Sequence, residues 1–217
     1  MSWLKFEDQY LDQISFVVFD VETTGLEREA RIVELAAVRL ESWKPIDQIE
    51  TLIQPGVSIP ASATLVHGID NNMVADAPTF HDIAPAWAYI IQDAVLIGHN
   101  IFSFDLRYML RQMREVFGVG FHNWAVDTLI ISRRLFPGKS HKLENLAALL
   151  QIPYDPHRAI NDVYANAELW IQMARQLQLS GPKTLNDLAR FSALRQLDGT
   201  GLPRYPSPPK VLLRPRT

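Results

Sequence analysis

The amino-acid sequence predicts an α/β domain in which helices pack on a mixed sheet. Two observations carry this expectation: three strand-like segments joined by short turns come first, and helix-like and strand-like segments alternate afterwards. Bulk composition adds a limit, because 217 residues with 47% hydrophobic content bury one sizeable core and leave little room for a second. The expected organisation is an N-terminal arm over 1–14, a main domain over 15–180, and a C-terminal helix with a proline-rich tail over 181–217.

The first strand is expected at Ser15–Val21, where Ser-Phe-Val-Val-Phe-Asp-Val is β-branched and aromatic, and Gly25 breaks it. A second, Arg31–Leu40, carries Ile32, Val33, Leu35, Val38 and Leu40; a third runs from about Ile46 to Ile53 until Pro55-Gly56 stops it. These three form an antiparallel meander. Phe80, Ile83, Ala84, Trp87 and Ile91 then recur at helical spacing, followed by a short strand Val95-Leu96-Ile97. Leu106, Leu110, Met113 and Phe117 mark another helix, Ala125-Val126 a short strand, Leu143–Leu150 a helix, and His157–Leu177 a long final one. Past Gly181-Pro182 a further amphipathic segment carries Leu185, Leu188, Ala189 and Leu194. The end, Leu202-Pro203-Arg204-Tyr205-Pro206-Ser207-Pro208-Pro209, cannot form a packed helix or central strand because proline removes donors and fixes φ. It reads as a solvated terminus or an extended strip that tethers a partner.

Charge and residue usage exclude several function classes. A formal net charge of −3 argues against broad phosphate neutralisation, so a polyanion would have to be met locally. The absence of cysteine excludes disulfides and thiolate metal sites and favours oxygen ligation of the Mg²⁺ or Mn²⁺ kind over zinc. The opening Met1–Asp8 lacks the apolar stretch of a signal peptide and no later run reaches membrane-spanning length, so a cytoplasmic protein without a membrane partner is expected.

Three motifs carry chemistry. In Asp20-Val21-Glu22-Thr23-Thr24-Gly25, strand alternation projects Asp20 and Glu22 from one side, where two carboxylates can share a cation. The threonines and glycine that follow turn the chain and can aim N–H groups at a substrate oxygen. Gly98-His99-Asn100-Ile101-Phe102-Ser103-Phe104-Asp105 leaves a strand and enters a helix; alone, Asp105 would be an ordinary residue favouring the positive helix end. In His157-Arg158-Ala159-Ile160-Asn161-Asp162, Asp162 shares a helical face with Ala159, Ala165 and Leu169, which turns its carboxylate inward. His157 sits on the preceding turn, and an imidazole with an ordinary pKa near ~6.5 suits proton abstraction from water.

Together, Asp-x-Glu-Thr-Thr-Gly, His-Asn…Phe-Asp and His-x-Ala-x-x-Asp, in this order and separation, resemble the DnaQ-like 3′–5′ exonucleases of the subgroup with a histidine in the third motif (DEDDh). The resemblance covers about 15–177 and extends to Arg31–Val38, Val66-His67-Gly68-Ile69, Asp127-Thr128-Leu129 and Arg133-Arg134-Leu135-Phe136-Pro137. It implies a ribonuclease-H-like fold and removal of nucleoside 5′-monophosphates from the 3′ end of a nucleic-acid strand with two Mg²⁺ or Mn²⁺ ions. It further implies that Asp20, Glu22 and Asp162 hold metal, with Asp105 completing the site directly or through water, and that His157 is the general base. Thr23 and Glu22 would grip the terminal 3′-hydroxyl, and Leu26 and His67 would flank the last nucleotide.

His99 and Asp105 stand six apart, one more than in many proofreading members. This leaves Ile101, Phe102 and Phe104 open between core packing and base stacking. Glu34, flanked by apolar residues, is expected to pair with Arg31 or a backbone donor rather than to hold metal. Arg133, Arg134, Lys139, His141 and Lys142 form a basic cluster that either tracks phosphates or belongs to a solvated loop. The expected partner is a single-stranded 3′ end, DNA ahead of RNA, with a polymerase or repair partner reached through the tail. The competing class is a non-catalytic binding or assembly module on the same fold.

Overall fold

The structure, a computed structural model, describes residues 9–155, 158–199 and 201–207. Six strands form one mixed sheet in the order β3-β2-β1-β4-β5-β6. They are β1 (Phe16–Thr23), β2 (Ile32–Glu41), β3 (Lys44–Leu52), β4 (Val95–Gly98), β5 (Trp124–Asp127) and β6 (Leu194–Gln196). The expected meander β1-β2-β3 is antiparallel, β4 and β5 add in parallel on the other side of β1, and β6 closes the edge antiparallel to β5. The helices are α1 (Ala61–His67), α2 (Phe80–Ile90), α3 (Asp105–Phe117), α4 (Thr128–Leu135), α5 (Leu143–Leu149), α6 (Ala159–Ser180) and α7 (Leu185–Ala189). None among the described residues is long and apolar enough to cross a membrane.

β1 is buried on both faces, and its alternation sorts two cores. Phe16 and Val18 face α6, while Val17, Phe19 and Val21 face α2 and α3. Trp170 of α6 meets Phe16 edge-on with ring centroids 5.2 Å apart, and Trp87 of α2 meets Phe19 in the same way at 4.8 Å. Such pairs add specific geometry to the large area each ring removes from water. By the same parity Asp20 and Glu22 continue the α6 face of β1, and Glu34 lies on the α6 face of β2 with Ala36 and Val38. The carboxyl ends of β1, β4 and β5 all point to one end of the sheet. There the connections leave β1 and β4 in opposite directions, the place where α/β folds form a crevice.

Several elements depart from the sequence expectation. The amphipathic segment expected through Leu194 is a five-residue α7, and Ser192 at φ 57° turns the chain into β6. The driving force is pairing: Asp127 N–H donates to Ala193 O, and β6 satisfies the open edge of β5. The proline-rich end is held to the domain at Arg204 and Tyr205. Gln92 brackets the Tyr205 backbone, accepting from its N–H at 2.9 Å and donating to its carbonyl at 3.0 Å, and Arg204 pairs with Asp93. Pro208 to Thr217 lie outside the described residues. Within the expected arm, Leu11 and Ile14 are buried in the α6-side core, and Leu11 N–H donates to Lys183 O at 2.9 Å.

Candidate active site

Asp20 and Glu22 emerge where β1 runs past the end of its pairing with β4, and Asp162 comes down to them from the first turn of α6. One ligating oxygen from each of these three lies within 4.8 Å of the others. They line a cleft of about 310 Å³ with Val21, Val66, Phe104, Lys142, Leu143, Glu144 and Tyr154. A larger hollow of about 660 Å³, walled in part by Arg39, Tyr89 and Tyr205, lies at the other end of β2 and includes none of these groups.

The electrostatics show what the cluster lacks. Burial, then the charges of Asp105, Glu22, Asp162 and Glu34, push the Asp20 carboxyl well above its ordinary range. Burial, then Glu34, Asp162 and Asp105, push Glu22 up to about 8. Among the described residues, Lys142 is the one cationic side chain on the cleft wall; it is 77% exposed and pairs with Glu144 at 3.8 Å. Crowded oxygen donors with so little nearby positive charge fit a hard divalent cation.

Asp105 stands apart from this triad. It is buried at the start of α3, its Oδ1 accepts from Val21 N–H at 3.2 Å, and burial lifts its carboxyl to about 7 against the lowering effect of backbone donors. It therefore braces the backbone between Asp20 and Glu22. Asp127 shapes the approach to it, accepting from Asn100 N–H at 2.9 Å and Leu129 N–H at 3.0 Å. Ile101 is fully buried, Phe102 lies under the Arg195 guanidinium at 4.2 Å, and Phe104 faces the cleft.

Thr23 Oγ1 donates to Gly25 O at 2.7 Å and so forms part of the turn. His67 is buried; its Nδ1 accepts from Ile69 N–H at 3.0 Å, so the ring proton sits on Nε2, which faces Thr23 O at 3.2 Å. Burial lowers its pKa, in keeping with a neutral ring. The ring thus locks the end of α1 to the end of β1. Leu26 is 73% exposed, while Arg107 holds its carbonyl at 2.5 Å. The backbone is fixed and the side chain is offered to solvent. His157 lies outside the described residues.

Two supports escaped the sequence reading. Glu34 pairs not with Arg31 but with Arg158, whose Nη2 donates to Oε1 at 3.0 Å, while Ala159 N–H donates to Oε2 at 3.2 Å. Arg31 instead pairs with Glu115 at 2.5 Å. The expected backbone donor is present, and Glu34 ties the start of α6 to β2. Tyr154 donates its phenolic hydrogen to Asp162 Oδ1, and burial followed by that bond raises the phenol's pKa above its ordinary value. An inward acid on one face of α6 gave a signal for Asp162, whereas nothing in the spacing announces a tyrosine from the loop before it.

The comparisons with known proteins follow this geometry. The exonuclease family model RNase_T matches residues 17–170. The chain is 35% identical to a DNA polymerase III PolC-type protein of Caldanaerobacter subterraneus subsp. tengcongensis over 88% of its own length and 14% of that protein's. It is 37% identical to a DNA polymerase III subunit epsilon-like protein of Rhodobacter capsulatus, over 80% of this chain and 26% of that one. The chain thus spans only about a seventh to a quarter of these two relatives. The DNA polymerase III subunit epsilon of Aquifex aeolicus is 32% identical over 80% of this chain and 87% of its own length. Among solved structures, Exonuclease X in complex with 5′ overhanging duplex DNA superposes with a TM-score of 0.65 at 27% identity, covering 81% of this chain and 99% of that one. The mixed sheet, the family match and the 32%-identical relative agree: the chain belongs to the DnaQ-like exonuclease family, of the DEDDh type.

Proposed function

We propose that this chain is a metal-dependent 3′–5′ exonuclease that releases nucleoside 5′-monophosphates from DNA ends. The observation that carries the reading is the meeting of Asp20, Glu22 and Asp162 oxygens within 4.8 Å of one another, from segments far apart in sequence. Asp20, Glu22 and Asp162 would hold the cation site, and Asp105 would complete it directly or through water. Two Mg²⁺ or Mn²⁺ ions bound there would stabilise negative charge on the phosphate and on the departing oxygen. His157 takes the proton from the attacking water. The water oxygen bonds to phosphorus, the bond to the 3′-oxygen of the preceding nucleotide breaks, and that oxygen becomes the new 3′ end.

Around this centre, Leu26 and His67 would flank the terminal nucleotide, with Thr23 and Glu22 toward its 3′-hydroxyl. His67 has both ring nitrogens engaged within the fold, which leaves its ring edge rather than a hydrogen bond for the nucleotide. Lys142 on the cleft wall is the local positive charge that an acidic protein needs to admit a phosphate backbone. DNA is favoured over RNA because the relatives named above are DNA polymerase III proteins. The same names support a second reading, a proofreading-type subunit or an assembly module of a polymerase complex, which co-purification with a polymerase would separate from a free-standing enzyme.

The direct test is a 5′-labelled oligonucleotide with a free 3′-hydroxyl. It shortens in steps with Mg²⁺ or Mn²⁺, stays intact with EDTA, and stays intact with Asp162→Asn. Undiminished shortening by a clean Asp20→Asn preparation would overturn the assignment.

A further inference from the structure

We propose that Tyr154 is a positioning residue for the cation site: its phenol holds one oxygen of Asp162 so that the carboxylate presents its other oxygen beside Asp20 and Glu22. The inference rests on the metal-dependent reading above.

Tyr154 reaches the cleft from the loop between α5 and α6, with its ring packed on the α6-side core and its hydroxyl donating to Asp162 Oδ1. A carboxylate at the first turn of a helix can swing about two side-chain torsions, and of the three clustered acids Asp162 alone comes from a helix. Asp20 and Glu22 project from a strand that is paired with β2 along this stretch and held between them by the bond from Val21 N–H to Asp105. The backbone of α6 has its own anchor in Glu34, which accepts from Arg158 and from Ala159 N–H. That clamp fixes where the helix starts. The phenol restrains the carboxylate itself, and it does so from a ring packed on the α6-side core. At neutral pH a phenol is a donor to a carboxylate, so the bond orients Asp162 without adding charge to an already crowded cluster. Hydrogen bonds of this kind to ligating side chains set ligand orientation, and losing one typically weakens metal binding by ~10–100-fold.

The test is calorimetric titration of the full chain with Mn²⁺, comparing wild type, Tyr154→Phe, Tyr154→Ala and Asp162→Asn, with the Mn²⁺ dependence of oligonucleotide shortening measured in parallel. Tyr154→Phe keeps the ring, and it is expected to weaken Mn²⁺ by about tenfold and to move half-maximal activity to higher Mn²⁺ with the folded state intact by circular dichroism. If Tyr154→Phe binds as wild type and only Tyr154→Ala is impaired, the ring merely packs and the proposal fails. Tighter binding in Tyr154→Phe would also overturn it, since the phenol would then compete with the cation. Should Asp162→Asn bind Mn²⁺ like wild type, the metal reading falls and the role of Tyr154 falls with it, an outcome distinct from a failure of Tyr154→Phe alone.

Discussion

Neutralising Glu22 by Glu22→Gln is expected to stabilise the metal-free fold at pH 8 while removing metal-dependent nuclease activity. The folded protein lifts this carboxyl from the ordinary 4.5 to about 8, chiefly by burial and then by Glu34, Asp162 and Asp105. Because the folded state binds this proton more tightly than the unfolded chain, stability is greatest below about 4.5 and falls as pH rises toward about 8. A tenfold displacement in acidity is worth about 1.36 kcal/mol, so the ceiling on the cost of ionising Glu22 is about 5 kcal/mol. The cleft is open to water, which screens the repulsion, and about 2 kcal/mol is the expected gain at pH 8. Urea denaturation in EDTA at pH 5 and pH 8 measures it: the advantage of Glu22→Gln should be small at pH 5 and grow with pH. Saturating Mg²⁺ should reverse the ranking, because only the wild type gains the binding free energy. A variant equal to or weaker than wild type at pH 8 in EDTA would refute the claim that uncompensated charge accumulates here.

Other perturbations separate structural from chemical roles. Arg158→Ala leaves the Glu34 carboxylate, buried at 1% exposure, with the Ala159 N–H as its donor among the described residues, and should cost about 1–3 kcal/mol in urea unfolding together with much of the activity. Gly98→Ala would set a new Cβ 2.7 Å from Ile101 Cβ; the loop to Asp105 must shift, so activity should drop more than thermal stability. Trp170→Ala empties the centre of the α6-side core, where this ring is fully buried against Phe16, and should cost about 3–5 kcal/mol by denaturant titration.

Much of this architecture was legible because burial imposes periodicity. The apolar run at Phe16–Val21 could only be a strand covered on both faces, and its parity placed Asp20 and Glu22 together before any contact was known. Asp162 was legible from the apolar face it shares on α6. What stayed hidden depends on partners distant in sequence. β6 exists because β5 has an open edge, which the segment around Leu194 cannot announce by itself. α1 and α4 span seven and eight residues, too short for a helical stripe to stand out. Glu34 was placed correctly among backbone donors, yet its cation came from Arg158 rather than from the neighbouring Arg31, because strand parity sends Glu34 to the α6 face. Asp105 was expected to complete the site directly or through water; its bond to Val21 N–H, a brace on β1, joins segments 84 residues apart that no spacing announces.

The central claim, that distant carboxylates converge to hold divalent cations, is tested most directly by diffraction from crystals soaked in Mn²⁺ with data collected at the manganese edge. An anomalous peak within coordination distance of Asp20, Glu22 and Asp162 together is the expected result. A peak that touches none of them, or clean density at the cluster with manganese bound elsewhere, would contradict it.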